Sequence, residues 1–430
     1  MDNPSLLVLP EMAFIRQRFA MSEISDISKT VRASLNVIPQ PDFSGGGGSP
    51  GKTVAVAVGS RHIDNLDMVV DQCLRFLEQR GFTPFIVPAM GSHGGGTADG
   101  QKALLAKYGI SEASMKVPIV ADMATQPVAT HASGLKIYIS KSVLAADHLV
   151  LINRIKPHTK FKADIESGLC KMMTVGLGKV EGASRFHQYA VDNGFGIIEE
   201  AARVLLKKLN ILFGLALIED GYGKLAIIEP VLPDHLIARE KILLGKAKEM
   251  MGGIPFDSLD ILIVDHFGKD ISGIGMDSNV TGRHRDIVGD VKIAPNVKRI
   301  FVRDLSPLSD GNANGIGLAD FTTRRLVARM DMEKTYMNAL AAISPEKAAI
   351  PIHFDTDKQC LDACARTTGV SEYNHLRVVR IKDTSSLGHI QISRSLEQEM
   401  TSNACLSRIS DWQPLAFNTY DNLTDFPRNE

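Results

Sequence analysis

The sequence has few cysteines and no sign of a disulfide framework. Its five cysteines are odd in number and scattered along 430 residues: Cys73, Cys170, Cys360, Cys364 and Cys405. A disulfide scaffold needs an even, closely spaced set. Cys360 and Cys364 could share one helix face, but no second cysteine or histidine pair stands nearby, so the pattern favours core packing over a zinc site.

Long apolar runs and an excess of charge of one sign are also missing. No run reaches the roughly eighteen apolar residues that a membrane helix needs. Glu11, Arg16 and Arg18 interrupt the N-terminal apolar residues where a signal peptide would have its core. With 48 Lys and Arg against 49 Asp and Glu, nothing favours nucleic acid or an anionic membrane as a partner. We therefore expect a soluble, cytoplasmic protein.

The sequence does contain a regular alternation of strand and helix patterns. At 430 residues with 44% hydrophobic content it can bury a large core and make two domains. The first patterns are a strand at 54–58, a helix at 66–80, a strand at 84–88 and a helix at 98–108; later ones are strands at 136–140, 149–152 and 211–219 and helices at 195–208 and 233–251. This order predicts a parallel sheet with right-handed crossovers.

The alternation restarts after residue 253. Strands are predicted at 259–264 and 296–305, and a helix at 317–340. We expect an N-terminal catalytic, cofactor-binding domain at 1–253 and a smaller domain at 254–430 that contributes to the substrate pocket. The predicted fold class is α/β, with two α/β domains, mainly parallel sheets and an active site in the interdomain cleft.

Two glycine-rich stretches invite a phosphate-binding interpretation. Residues 46–53 match the pattern G-x-x-x-x-G-K-[ST], but a strand follows them and a linker precedes them, which is the wrong order for that chemistry. Residues 91–97 have the right order of strand, loop and helix, with Thr97 as the expected N-cap. This second loop could hold a phosphate or simply turn the chain.

Three histidines and a lysine stand out. His158 follows the strand at 149–152 among basic residues that would favour its neutral form, although an exposed basic loop is the alternative. His93 has almost no side chains around it to pack against. Lys171 could be a surface lysine, a phosphate binder or a covalent anchor, and its mostly apolar neighbours favour a desolvated, nucleophilic amine. His187 could be a metal ligand or an ordinary helix-face residue.

In order and spacing, these residues resemble the lactate racemase family, which uses a nickel-pincer nucleotide. His93 lies in Gly-Ser-His-Gly-Gly-Gly-Thr, His158 at a strand end, Lys171 in Ser-Gly-x-x-Lys, and His187 sixteen residues later. The resemblance covers most of the first domain and, more faintly, the second.

The resemblance implies a cofactor and a reaction. The cofactor is a pyridinium-3-thioamide-5-thiocarboxylic acid mononucleotide carrying nickel, tethered to Lys171, with His187 as the nickel ligand. His93 and His158 would act as alternating acid and base while a 2-hydroxy acid is oxidised at C2 and reduced again on the opposite face. Further cofactor contacts are expected from Ser60, Gly94, Thr97, Ser167 and Gly168. The implied partners are the substrate and the enzymes that make the cofactor, and a homo-oligomer is left open.

The positions expected to face the substrate depart from the lactate enzymes. Arg61 resembles a family arginine that could pair with the substrate carboxylate. Arg285 stands where a lysine is expected, and Thr281 and Gly282 replace a larger tyrosine and glutamine. We therefore expect a reshaped pocket and a 2-hydroxy acid larger than lactate.

Two other functions stay open on the sequence alone. A metal-dependent hydrolase or lyase would need His93, His158 and His187 to converge on one ion. A non-catalytic nucleotide or metal carrier would keep the pocket without turnover. Both are alternatives to an isomerase.

Overall fold

The structure is a computed structural model that describes residues 9–22, 24–39, 51–59 and 63–426. The chain forms two compact units, one made by Met21–Met251 and the other by the N-terminal residues up to Ala20 together with Gly252–Glu430. Most of the glycine-rich linker at 46–53 lies outside the described residues. Among those described, no helix is long and apolar enough to cross a membrane.

The strands are, in chain order, β1 (Met12–Gln17), β2 (Thr53–Val58), β3 (Thr83–Pro88), β4 (Thr125–Thr130), β5 (Lys136–Ser140), β6 (His148–Arg154), β7 (Ile211–Glu219), β8 (Leu225–Val231), β9 (Ser258–Phe267), β10 (Arg283–His284), β11 (Val291–Lys292), β12 (Asn296–Leu305), β13 (Phe321–Thr323), β14 (Ile352–Phe354), β15 (Val378–Ile381), β16 (His389–Ser393) and β17 (Leu406–Arg408).

The helices are α1 (Ile27–Leu35), α2 (Leu66–Gln79), α3 (Ala98–Ala106), α4 (Glu112–Met115), α5 (Lys141–Leu144), α6 (Leu169–Lys171), α7 (Lys179–Asn193), α8 (Ile197–Leu206), α9 (Leu236–Met250), α10 (Ser278–Thr281), α11 (Arg324–Ala328), α12 (Met332–Ala341), α13 (Asp357–Arg366) and α14 (Glu397–Ser402). A π-helical turn, Met172–Gly176, connects α6 toward α7.

The unit at 21–251 is built on a five-stranded sheet in the order β3-β2-β6-β7-β8. The first four strands are parallel and β8 is antiparallel at one edge. Val58 lies opposite Pro88 in β3 and Ile152 in β6. The loops after β2, β3 and β6 therefore leave the sheet at one edge, where α/β folds bind ligands.

Apolar runs explain why these strands lie at the centre. The residues 54–58 of β2 and 149–152 of β6 are almost fully buried, as strands covered on both faces must be. The predicted strand at 136–140 exists as β5, but it pairs with β4 in a separate two-stranded antiparallel sheet. The expected parallel α/β architecture is confirmed for this unit.

The other unit has an eight-stranded sheet in the order β14-β13-β12-β9-β15-β16-β1-β17. Its first five strands are parallel, and β16, β1 and β17 continue it with antiparallel pairing. Here the structure differs from the domain division expected from the sequence. Strand β1 belongs to this sheet, because its backbone hydrogen bonds are completed by β16 and β17, so the N-terminal residues are not part of the unit that follows them.

The predicted helix at 317–340 is wrong. The segment forms a short 3₁₀ turn, Ile316–Leu318, then β13, α11 and α12. Two polar side chains divide it: Thr323 accepts the backbone N–H of Leu326 and Asp331 accepts that of Lys334. Such N-caps start new helices, which periodicity alone does not reveal.

A buried ionic centre joins three parallel strands of this unit to its C-terminal segment. Asp265 in β9 accepts hydrogen bonds from Arg303 in β12 and Arg380 in β15, at 2.7–2.8 Å. The two arginines also donate to the carbonyl oxygens of Leu423 and Thr424. All three charged side chains are at least 93% buried.

We predict that Asp265→Asn lowers the free energy of unfolding by about 3–5 kcal/mol, because it leaves the buried guanidinium group of Arg380 without a carboxylate and that of Arg303 with Asp357 alone. The measurement is urea unfolding of the purified variant. Asp310→Asn is the control: Asp310 pairs with Lys334 at the surface, and its loss should cost less than about 1 kcal/mol. Equal effects of the two substitutions would contradict the prediction.

Candidate functional site

Two backbone hydrogen bonds join the ends of the loop that carries His158, and a buried carboxylate lies inside the loop. Lys156 and Ser167 exchange N–H to carbonyl hydrogen bonds of 2.9 and 3.3 Å, just beyond the end of β6. Inside the loop, the fully buried Glu166 carboxylate accepts the backbone N–H of His158 at 2.6 Å. Its charge is balanced by Lys248, at 2.7 Å, and more distantly by Lys162. The backbone at His158 is thus held by a buried ion pair.

His158 and Lys171 are in direct contact. Lys171 Nζ lies 2.5 Å from His158 Nε2, and the backbone N–H of Lys160 donates to His158 Nδ1 at 3.0 Å. A neutral imidazole carries one proton, so Nδ1 as an acceptor places that proton on Nε2. Nε2 then donates to Lys171 Nζ, which can accept only as a neutral amine. The geometry therefore favours the free-base, nucleophilic form of this lysine.

An aromatic stack covers one side of this pair. The ring of Phe161 stacks on His158 with centroids 4.3 Å apart, and Phe195 stacks on Phe161 at 4.0 Å. Lys171 Nζ lies 5.8 Å from the centroid of Phe161. The two rings thus give this side of the pair an apolar surface.

Glu240 of α9 holds the segment that carries Lys171 by a backbone hydrogen bond. Its Oε2 accepts the backbone N–H of Cys170 at 2.9 Å, and its Oε1 has no hydrogen-bond partner among the described residues. A Cβ atom at Gly168 would overlap the same carboxyl group. Gly168 also accepts a hydrogen bond from Asn153, at 2.8 Å. Internal packing thus explains the glycine at a position predicted to contact the cofactor.

Glu240 has an unusual protonation behaviour. Its complete burial raises its pKa to about 7, although hydrogen bonds from Cys170 and Leu169 act in the opposite direction. Glu240 therefore titrates near neutral pH directly beneath the segment that holds Lys171. Sequence analysis did not identify Glu240, because a glutamate within Ile-Ala-Arg-Glu-Lys is typical of an exposed helix face.

The glycine loop places His93 at the surface, after β3. Gly91, Gly94, Gly95 and Gly96 all have left-handed backbone angles, with φ between 56° and 67°. Thr97 is the N-cap of α3, accepting the N–H of Gly100 at 3.1 Å, as predicted. A Cβ at Gly94 would overlap the backbone of Gly100. The backbone conformation of the loop is therefore sufficient to explain why these positions are glycine.

His187 lies on α7, two turns after the first residue of that helix, and is partly buried. Within the part of the chain that the structure describes, no three His, Cys, Asp or Glu side chains cluster closely enough to hold a metal ion. The three histidines therefore do not form the triple-histidine site that the hydrolase or lyase alternative requires.

The structure shows the surroundings of two predicted pocket residues in the other unit. Thr281, the last residue of α10, is fully buried. Gly282 has φ 71°, and a Cβ there would overlap the carbonyl oxygen of Pro295. The small residue at 282 is thus required by the backbone, and it does not show that the pocket is enlarged.

Arg285 is exposed and follows directly after β10. Its neighbour Asp286 is buried and accepts hydrogen bonds from Ser344 and Lys347, at 2.6 and 2.7 Å. This buried network holds the backbone from which Arg285 projects. Ser60 and Arg61, the other proposed cofactor and substrate contacts, lie outside the described residues.

Comparisons with known proteins found a similar solved structure but no matching family. No protein-family model matches the sequence, and no curated protein does. A solved structure, the lactate racemase apoprotein from Thermoanaerobacterium thermosaccharolyticum, is similar with a TM-score of 0.47 and 16% identity, covering 95% of this chain and 94% of that one.

We predict that Glu240→Gln removes a pH dependence of stability. Because the pKa of Glu240 rises from 4.5 to about 7 on folding, its contribution to stability is complete below about pH 4.5 and is lost as the pH rises through 7. The wild type should lose about 3 kcal/mol over this range relative to the variant, at roughly 1.4 kcal/mol for each pH unit.

The measurement is the free energy of urea unfolding at pH 5, 6, 7 and 8 for both proteins. Glu249→Gln, at an exposed position of the same helix, should follow the wild type at every pH. A difference between wild type and Glu240→Gln that does not change with pH would refute this assignment.

Proposed function

We propose that the protein is an isomerase, a racemase or epimerase of a 2-hydroxy acid, that uses a nickel-pincer nucleotide attached to Lys171. The observation that carries the proposal is the contact between His158 Nε2 and Lys171 Nζ at 2.5 Å. It supports a lysine kept as the free base at the carboxyl edge of a parallel sheet, which is what a covalent anchor needs.

The side chains present fit such a cofactor. A neutral amine at Lys171 could attack the carbon of a thiocarboxyl group and form the thioamide C–N bond as the oxygen of that group leaves as water, whereas a protonated amine has no lone pair for this step. The rings of Phe161 and Phe195 offer apolar faces beside it, and His187 would supply an imidazole ligand for nickel. When bound, the nucleotide would take a hydride from C2 of the substrate and return it to either face.

His93 and His158 are the proposed acid and base. His93 is exposed on its glycine loop and can reach a substrate hydroxyl group from solvent. His158 presents a protonated Nε2 as long as Lys160 N–H donates to Nδ1. To act as a base at Nε2 it must carry its proton on Nδ1 instead, so the Lys160 hydrogen bond must break. His158 would therefore first donate a hydrogen bond to Lys171 and, after the change of tautomer, accept a proton from the substrate.

Substrate recognition is proposed for two arginines. The planar guanidinium groups of Arg61 and Arg285 suit bidentate binding of a carboxylate. An arginine in place of a lysine at 285 still favours a substrate with additional oxygens over lactate. Thr281 and Gly282 stay predicted substrate positions, and burial and backbone geometry give each of them a structural reason as well.

We predict that Lys171→Arg abolishes covalent attachment of the cofactor. The variant keeps the positive charge but lacks the amine that forms a thioamide. After co-expression with the cofactor-making enzymes, intact mass spectrometry should show an adduct on the wild type and on the control Lys162→Arg, but not on Lys171→Arg. An adduct that persists in Lys171→Arg would exclude this lysine as the anchor.

The loaded wild type should then interconvert the enantiomers or epimers of at least one 2-hydroxy acid, measured by chiral chromatography over a panel that includes lactate, dicarboxylic and polyhydroxy acids. An adduct without racemisation of any member would favour the non-catalytic carrier. Lactate as the preferred substrate would overturn the proposed choice of a larger acid.

We also predict that Lys171 is far more reactive toward acylating reagents than a surface lysine of the cofactor-free protein. An ordinary lysine, with a pKa near 10.4, is less than roughly 0.1% uncharged at pH 7. Limiting amounts of an acylating reagent at pH 7 should therefore modify Lys171 at least tenfold faster than Lys162, as peptide mapping would measure. His158→Phe keeps an aromatic ring beside Phe161 but removes the donor, and it should abolish this preference. Labelling that is unaffected by His158→Phe would show that the histidine does not hold the amine neutral.

A further inference from the structure

A lysine is buried at a position where the backbone favours glycine. Lys179, the first residue of α7, has φ 52° and a side chain with no exposed surface. The left-handed backbone costs about 1–2 kcal/mol for a residue other than glycine, and burying an ammonium group costs several more. Its side chain must therefore make interactions that a glycine could not.

Those interactions lead to the loop that carries His93. Lys179 Nζ donates to the carbonyl oxygen of Pro88 at 2.6 Å and to Oε1 of Gln101 at 3.1 Å. Gln101 is also fully buried, and its Nε2 donates to the carbonyl oxygens of Gly91, at 2.9 Å, and His93, at 3.3 Å. A continuous path of hydrogen bonds thus runs from the start of α7 to the backbone of His93.

The loop needs such support, because its own residues provide little stiffness. Four glycines between 91 and 96 adopt left-handed conformations, and each has many alternatives in an unrestrained chain. The π-helical turn that precedes α7 lies close by, since Gly91 N–H donates to the carbonyl oxygen of Gly176 at 3.0 Å. The ammonium group of Lys179 therefore links this glycine-rich loop to helix α7.

Lys179 keeps its charge under neutral conditions. Burial lowers its pKa to about 8, while the carboxylate of Asp122 acts in the opposite direction. At pH 7 most molecules therefore carry the ammonium form, whose hydrogen bonds are stronger than those of a neutral donor.

We propose that Lys179 is a positioning residue that fixes His93, through Gln101, relative to the helix that carries His187. The roles of His93 and His187 rest on the function proposed above. The mechanical link does not, and it can be tested on the protein without cofactor or substrate.

The test compares Lys179→Met with the wild type by amide hydrogen exchange at pH 7. Methionine has a similar length but donates no hydrogen bond. Exchange in residues 91–101 should become roughly tenfold faster or more, the effect expected from losing a charged donor, whereas β6 and β7 should keep their protection. The ring signals of His93 in NMR spectra, single in the wild type, should broaden or split.

Lys102→Met is the matched control, since Lys102 lies on the same helix as Gln101 but pairs with Glu112 at the surface. Its exchange in residues 91–101 should equal that of the wild type. Gln101→Leu should loosen the loop to a similar degree, and the double variant no further, because both residues belong to one path. If Lys179→Met does not fold, Gln101→Leu alone decides the question by the same readouts.

Unchanged exchange in residues 91–101, or a loss of protection spread evenly over both units, would overturn the proposal. Absence of racemase activity in the loaded wild type would instead overturn the proposed function and leave the exchange result standing. The two failures are therefore distinguishable.

Discussion

The candidate site depends on ionisable side chains that the fold buries and that make their hydrogen bonds inside the protein. Glu166 holds the backbone of His158, Glu240 holds the segment that presents Lys171, and Lys179 holds the loop of His93. An unpaired buried charge costs far more than a lost surface contact, so each of these groups permits few backbone arrangements. The side chains proposed to react, His93, His158 and Lys171, are themselves partly buried or exposed. Their positions are set by the buried groups that hold their backbone.

Much of the first unit could be predicted from the sequence, because its parallel strands are short apolar runs bounded by glycine or polar residues. Strands β2, β3, β6 and β7 and helices α2 and α3 all lie close to their predicted places. The failures have a common physical cause. The pairing of β1 with β16, and the N-caps Thr323 and Asp331 that divide the segment 317–340, depend on partners distant in sequence or on single side chains that an apolar periodicity does not register.

The site was predictable in a similar, partial way. A histidine after a strand and a lysine among apolar residues were recognisable, and the structure brings His158 and Lys171 together. The groups that organise them were not recognisable, since Glu240 and Lys179 occupy helix positions where glutamate and lysine are ordinary surface residues. Gly282 shows the reverse case: a small residue suggested an open pocket, and the structure adds a second reason for it, a left-handed backbone beside the Pro295 carbonyl. Burial and backbone angle, which decide both cases, cannot be seen in a sequence without its fold.

The pairing of β1 also matters for how the chain is made. Met12 leaves the ribosome first among the sheet residues of its unit, yet its partner in β16 is Ser393. At 5–20 residues per second, synthesis leaves roughly 20–80 s between the two. During that time the unit at 21–251 is completed, while β1 has no strand to pair with. The residues of β1 therefore stay unpaired through most of translation. The eight-stranded sheet can be completed only after nearly the whole protein has been synthesised.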